Sequence, residues 1–192
     1  MSKVPAEDHC IVADAAAWRA WLDANEDTHP GVWLVLAKKG TTEPTTLSYD
    51  QALDEALCGG WIDGQKQSRD QATFLQRFTP RRPKSVWSVR NTGLVQNLID
   101  DGRMRERGHA EIERAKADGR WDRAYAGAAN ATMPEDLLAA IAAVPEAQAS
   151  YEALNATSRF ALYFRVTTAH SAATREKRIA ALVQRLAAGE AL

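Results

Sequence analysis

Between Leu57 and Ser88 the chain sets Trp61, Phe74, Phe78 and Trp87 among Lys66, Arg69, Arg77, Arg81, Arg82 and Lys84, with Asp63 and Asp70 as the only acids. Guanidinium groups can hold a phosphate or carboxylate through charge-assisted, sometimes bidentate hydrogen bonds, while indole rings stack a planar body. The candidate ligand-binding set is therefore Trp61, Asp63, Arg77, Arg81, Arg82, Lys84 and Trp87, with Arg90 close by in sequence. Asp63 shares a strand face with Trp61 and has two readings. It is either a general acid/base in a partly desolvated pocket or the salt-bridge partner of a loop arginine. The second is the stronger, because ion-pair networks perturb carboxylates as readily as catalysis does. The other members have plain alternatives too: exposed loop arginines commonly pair with acids on neighbouring helices, and Trp61 and Trp87 fit a core as well as a stacking platform.

Other chemistry has little support. Cys58 falls at a helix end that disfavours a thiolate and has no histidine close in sequence, so it reads as core. With Cys10 it makes neither a disulfide framework nor a metal pair. His9, His29, His109 and His170 are scattered and form no recognisable metal set, and there is no phosphate-cradling glycine loop, zinc pair or GxSxG elbow. Neither a metal nor a cofactor is expected. The formal net charge of -1 over 192 residues argues against a general nucleic-acid binder, which carries a basic excess. The N-terminal MSKVPAEDHC lacks the apolar core of a signal peptide and no window reaches the length of a membrane span, so a cytoplasmic protein without membrane insertion is expected.

The elements that must position the basic stretch follow from periodicity. His9 to Ala13 reads as a short strand, and Asp14 caps a helix whose Trp18, Trp21 and Leu22 share a face and which ends near Asn25. The unbroken apolar run Val32 to Ala37 reads as a central strand buried on both faces. Ser48 and Gln51 make a capping box for a helix that buries Leu53, Ala56 and Leu57 and ends at Gly59-Gly60. The period then changes to two, with Trp61, Asp63 and Gln65 on one face and Ile62 and Lys66 on the other. A turn near Ser68 to Gln71 returns the chain through Phe74 to Phe78, and Pro80 and Pro83 stiffen the loop carrying Arg81, Arg82 and Lys84. Trp18, Trp21, Trp33 and Trp121 read as core.

Beyond Trp87 the pattern is helical. Leu94 to Ile99 form a stripe closed by Gly102, and a more polar helix over Met104 to Asp118 stops at Gly119. Trp121 and Tyr125 anchor an irregular connection. Thr132 and Glu135 fit a second capping box with Pro134 in the first turn, Pro145 restarts a helix, Phe160 to Val166 suggest another, and Ser171 opens a last one.

Several of these residues form words. Trp33-Leu34, Ala37-Lys38-Lys39-Gly40, Glu55-Ala56-Leu57-Cys58, Gly60-Trp61-Ile62-Asp63-Gly64 and Phe78-Thr79-Pro80-Arg81-Arg82-Pro83 resemble the bacteriocin-protection YdeI/OmpD-associated family. Lys116 to Trp121, Thr174-Arg175 and Arg178-Ile179 extend the resemblance over nearly the whole chain. It implies a bacterial protein linked to tolerance of bacteriocins or antimicrobial peptides, and carries over no catalytic residue. Gly59 stands where the family more often has an aromatic, which would enlarge a cavity beside Trp61. His170 stands where a lysine is expected.

These readings converge on an α+β fold: a small mixed or antiparallel sheet flanked by helices in a domain spanning 1–131, followed by a C-terminal helical module, 132–192. The leading function is binding of a small anionic ligand at the basic aromatic stretch, with catalysis left open. The alternatives are a protein-interaction module acting indirectly, through a protein partner, and, less favoured, nucleic-acid binding through the basic patch.

Overall fold

Short apolar runs and capping residues lay out the first half of the molecule. The structure, a computed structural model, describes residues 9–190; the stretch 1–8, most of the segment read above for a leader, lies outside the described residues. Two compact units emerge, Met1–Ser85 with Gly93–Ala115, and Val86–Thr92 with Lys116–Leu192.

The first unit is built on a mixed four-stranded sheet in the order β1-β2-β4-β3. Strand β1 (His9–Cys10) runs parallel to β2 (Val32–Ala37), while β4 (Thr73–Pro80) is antiparallel to both β2 and β3 (Trp61–Ser68). Strand β2 is internal, and Leu34, Val35 and Leu36 are fully buried, as its unbroken apolar run requires. Helix α1 (Ala15–Asn25) starts at Asp14, whose carboxylate accepts the Ala17 N–H at 2.9 Å. Helix α2 (Tyr49–Cys58) opens with the reciprocal Ser48–Gln51 box and closes at Gly59, with Gly60 at a φ of 71° that favours glycine. Trp18 and Leu22 of α1, Leu53, Ala56 and Leu57 of α2, and Phe78 of β4 are all buried. Trp18 donates its indole N–H to Ala52 O at 3.1 Å and lies 5.7 Å from the Phe78 ring. Each of the leucine and phenylalanine side chains contributes about 1.5–3 kcal/mol by leaving water.

One strand face differs from the expectation. Asp63 pairs with Phe78 and Lys66 with Gln76, so Gly64 and Gln65 together oppose Arg77 in a β-bulge. The extra residue moves Lys66 from the Ile62 face to the face of Trp61 and Asp63, where its Nζ stands 4.2 Å from the centroid of Phe74. The buried Gln76 amide donates to Gly64 O at 2.9 Å and Gln65 O at 3.2 Å, satisfying carbonyls that the bulge takes out of the ladder.

Helices α3 (Val89–Asp100) and α4 (Glu106–Ala117) each straddle the division between the units. In the second unit follow a 3-10 turn at Ala128–Asn130 and helices α5 (Glu135–Ala142), α6 (Pro145–Glu152), α7 (Ala156–Thr167) and α8 (Ala172–Ala187). Their core holds Leu137, Ile141, Ala147, Leu162, Val166, Leu182 and Leu186. Within this unit Trp121 packs on Trp87 at 5.0 Å and Tyr125 meets Phe164 edge-on at 4.8 Å. The expected Thr132–Glu135 capping box does not form: α5 starts two residues later than that pattern needs, with Pro134 at its N-cap and no side-chain cap. Ser171 does cap α8, accepting the Thr174 N–H at 3.2 Å.

Arg175 ties α8 to the start of α5, with its Nε and Nη2 each 2.7 Å from an oxygen of Asp136, and donates Nη1 to Val166 O at 3.2 Å. The Arg175 hydrogen bond holds the Asp136 carboxyl below its ordinary 3.8. A depressed acid contributes stability above its unfolded pKa and loses it as pH falls through the folded value. The melting temperature of the full chain is therefore expected to fall more steeply below about pH 4 than that of Asp136→Asn, which lacks this titration; parallel pH profiles would remove the pair from the stability of the unit.

Candidate functional site

The hairpin and its loop place the sequence-derived set as follows. Trp61 is fully buried and donates its indole N–H to Glu26 O at 3.2 Å, so its ring is part of the core with no face for a ligand. Asp63 accepts a hydrogen bond from the Tyr49 hydroxyl at 2.8 Å, a partner on α2 that neither sequence reading anticipated. Arg81 is 5% exposed, and its backbone N–H donates to Gly60 O at 3.0 Å. Arg82 and Lys84 are exposed, on a loop closed by Arg82 N–H to Ser85 Oγ and Ser85 N–H to Arg82 O, both 2.9 Å. Trp87 is buried and belongs to the second unit. The stretch is thus one in sequence and several places in space.

The space beside Gly59, where sequence suggested an enlarged cavity, is filled. A Cβ at Gly59 would collide with Glu26 Oε2 and with the Arg105 guanidinium. Arg105 bonds Asp23, lies 3.4 Å from Glu26 and donates to Glu55 O at 2.9 Å; Arg107 bonds Glu26 O and Asp27. Arg103 pairs with the buried Glu55 at 2.7 Å. These three arginines at alternate positions clamp the C-terminal ends of α1 and α2. Burial pushes the Glu26 carboxyl above its ordinary 4.5, against the pull of Arg105 and Arg107. Burial, with Glu55 adding to it, also pushes the Cys58 thiol up to about 11, which leaves it protonated and unsuited to nucleophilic work.

Arg77 is the member of the set that lines an open cleft of about 700 Å³. Its guanidinium lies 5.9 Å from the ring centroid of Trp33, its neighbour across the β2–β4 ladder. With it stand His9 and Cys10 of β1, Trp21 of α1, and His29 on the loop entering β2. The His29 ring meets Trp21 edge-on at 5.1 Å, and its Nδ1 accepts the Gly31 N–H at 3.3 Å, which leaves Nε2 as the ring's other hydrogen-bonding atom. Gly31 is required there. At a φ of 129° it passes so close to Phe78 O and Thr79 that a Cβ would clash. Among the described residues no carboxylate lines the cleft. One guanidinium, two imidazoles and two half-buried indoles can neutralise an anion and stack a planar group. The sequence reading held Trp21 and Trp33 to be core and the histidines to be scattered; the parallel pairing of His9 with Trp33 brings them together.

Among the described residues no group of three or more His, Cys, Asp or Glu side chains is arranged to hold a metal, and no helix is long and apolar enough to cross a membrane.

Comparison with known families divides the chain much as its architecture does. Residues 10–111 match a family described as a domain of unknown function (DUF8412), and residues 130–189 match the family described as Bacteriocin-protection, YdeI or OmpD-Associated. Thr174-Arg175 and Arg178-Ile179 fall inside the second match, whereas the words from Trp33 to Pro83 fall inside the first and Lys116 to Trp121 lies between them. No curated protein and no solved structure matches.

Proposed function

We propose, for a chain that belongs to the DUF8412 family and carries a bacteriocin-protection, YdeI or OmpD-associated domain at residues 130–189, that its first unit binds a small planar anion in the cleft of Arg77, Trp33 and the two histidines. The role implied by the C-terminal domain's name is tolerance of bacteriocins or antimicrobial peptides, with the bound ligand as the signal or cargo of that role. The observation that carries the reading is a cleft large enough for a drug-sized molecule, about 700 Å³, lined by Arg77, His9 and His29 and, among the described residues, by no carboxylate. Direct neutralisation of cationic peptides is disfavoured, since this lining repels them. The nucleic-acid alternative finds less support: of the arginine pair in the loop, Arg81 is buried, leaving Arg82 and Lys84 exposed, short of the roughly 6–10 phosphate contacts of a typical module.

The test is titration of the full chain with benzoate, phenyl phosphate and nucleoside monophosphates, read by quenching of tryptophan fluorescence, Trp21 and Trp33 being the half-buried indoles of the cleft. Arg77→Gln is expected to weaken binding about tenfold or more, the loss of one charge-assisted hydrogen bond. Equal affinity in wild type and variant, or no saturable quenching by any of the three, overturns the assignment.

A further inference from the structure

Helices α7 and α8 of the second unit leave a groove of about 380 Å³ between them. Phe164 of α7 and Ala181 and Leu182 of α8 make its apolar floor, and Arg165, Arg178 and Arg185 stand around it. Arg178, Ala181, Leu182 and Arg185 lie at i, i+3, i+4 and i+7 and so share one face of α8, a two-turn strip with a guanidinium at either end. Small Ala181 opens the middle of that strip.

The three cations are held differently. Arg178 donates Nη1 to Thr168 Oγ1 at 3.4 Å and to Arg165 O, which fixes its head at the C-terminal end of α7. Arg185 stands 3.4 Å from Glu190. The Arg165 side chain makes no hydrogen bond or ion pair with any described residue, and it is exposed. Among the described residues no acid lines the groove, so positive charge gathers beside apolar surface in a chain whose formal net charge is -1. Desolvated apolar floor favours an apolar body, and the guanidinium rim favours a carboxylate, sulfonate or phosphate. Seven described residues line the groove, where a stable protein interface takes roughly 20–30 a side, so the occupant is small. The volume falls within the range of ligand pockets.

We propose that the α7–α8 groove binds a small anionic amphiphile, its aliphatic or aromatic body on Phe164, Ala181 and Leu182 and its head group held by Arg165 and Arg178. This site lies in the second unit and does not depend on the Arg77 cleft.

Calorimetric titration of the full chain with decanoate and decyl phosphate below their micelle concentrations, with decanol as the uncharged control, tests it. One saturable site is expected for both anions, with decanol about tenfold weaker or more. Arg165→Ala is expected to weaken the anions by about fivefold, since its head group has no partner among the described residues to lose. Ala181→Glu, at an exposed position, is expected to abolish binding without lowering the melting temperature. A parallel arm with vesicles of phosphatidylglycerol and phosphatidylcholine, against phosphatidylcholine alone, separates the sources of the anion. Binding of the monomers assigns a free amphiphile, and binding only of the anionic vesicles, lost in Ala181→Glu, assigns a bilayer lipid; either supports the site. Equal affinity for decanol and decanoate, anion binding that survives in a well-folded Ala181→Glu, or no binding to monomers or vesicles overturns it.

Discussion

Trp61→Ala is expected to lower the stability of the first unit by about 3–5 kcal/mol, the range for emptying a buried aromatic site, and to do so in the absence of any ligand. The ring is fully buried and meets Trp21 edge-on at 5.9 Å, so its removal leaves a cavity lined by side chains that cannot collapse into it freely. Trp61→Phe separates the two contributions. It keeps much of the packing and loses the indole N–H to Glu26 O, an oxygen that Arg107 also bonds, so the carbonyl is not orphaned and the cost should stay nearer 1–2 kcal/mol. Arg82→Ala and Lys84→Ala, both exposed, should fall within about 0.5 kcal/mol of wild type. Urea denaturation of the full chain measures all four. If Trp61→Ala cost under 1 kcal/mol while abolishing ligand binding, the core assignment would be wrong and the stacking role regained.

That contrast shows where the sequence was legible. Strand β2 and the capping box at Ser48–Gln51 are local patterns, and both appear at their expected residues. The Thr132–Glu135 pattern has the same form but is overridden by Pro134, whose extended backbone takes the N-cap itself. Period two failed after Asp63 because a bulge is a choice made by two strands together, and nothing in Gly64-Gln65 alone fixes which strand carries the extra residue. The candidate site suffered most from distance in sequence. Neighbouring cations at positions 77 to 84 were read as one surface, yet backbone and burial send Arg77, Arg81 and Arg82 into three environments. The cleft, by contrast, joins His9, Trp21, Trp33 and Arg77 through strand pairing and helix packing. Those are tertiary facts.

Arg103 was absent from every sequence-derived list, and its loss is expected to be the second costly change. Glu55 sits in the last turn of α2, where the helix dipole already disfavours a negative charge, and it is 7% exposed. Arg103 answers that charge with Nη2 at 2.7 Å from Glu55, while its Nη1 stands 3.7 Å from Asp54. The hydrogen bond that Arg103 donates to Glu55 in turn raises the Arg103 pKa above its already high value, so the guanidinium stays charged over the whole working range. Removing one partner of a buried pair strands the other, a cost of about 3–5 kcal/mol for a full burial, and about 2–3 kcal/mol is expected for Arg103→Ala because the guanidinium is one-third exposed. The burden then lies in the carboxylate, which gives the expectation its test. Adding Glu55→Gln to Arg103→Ala should recover about 1 kcal/mol or more, although Glu55→Gln alone destabilises the wild type. Simple additivity of the two losses would mean that solvent already serves Glu55. The alternating arginines would then hold α1 and α2 through Arg105 and Arg107, with Arg103 a surface charge.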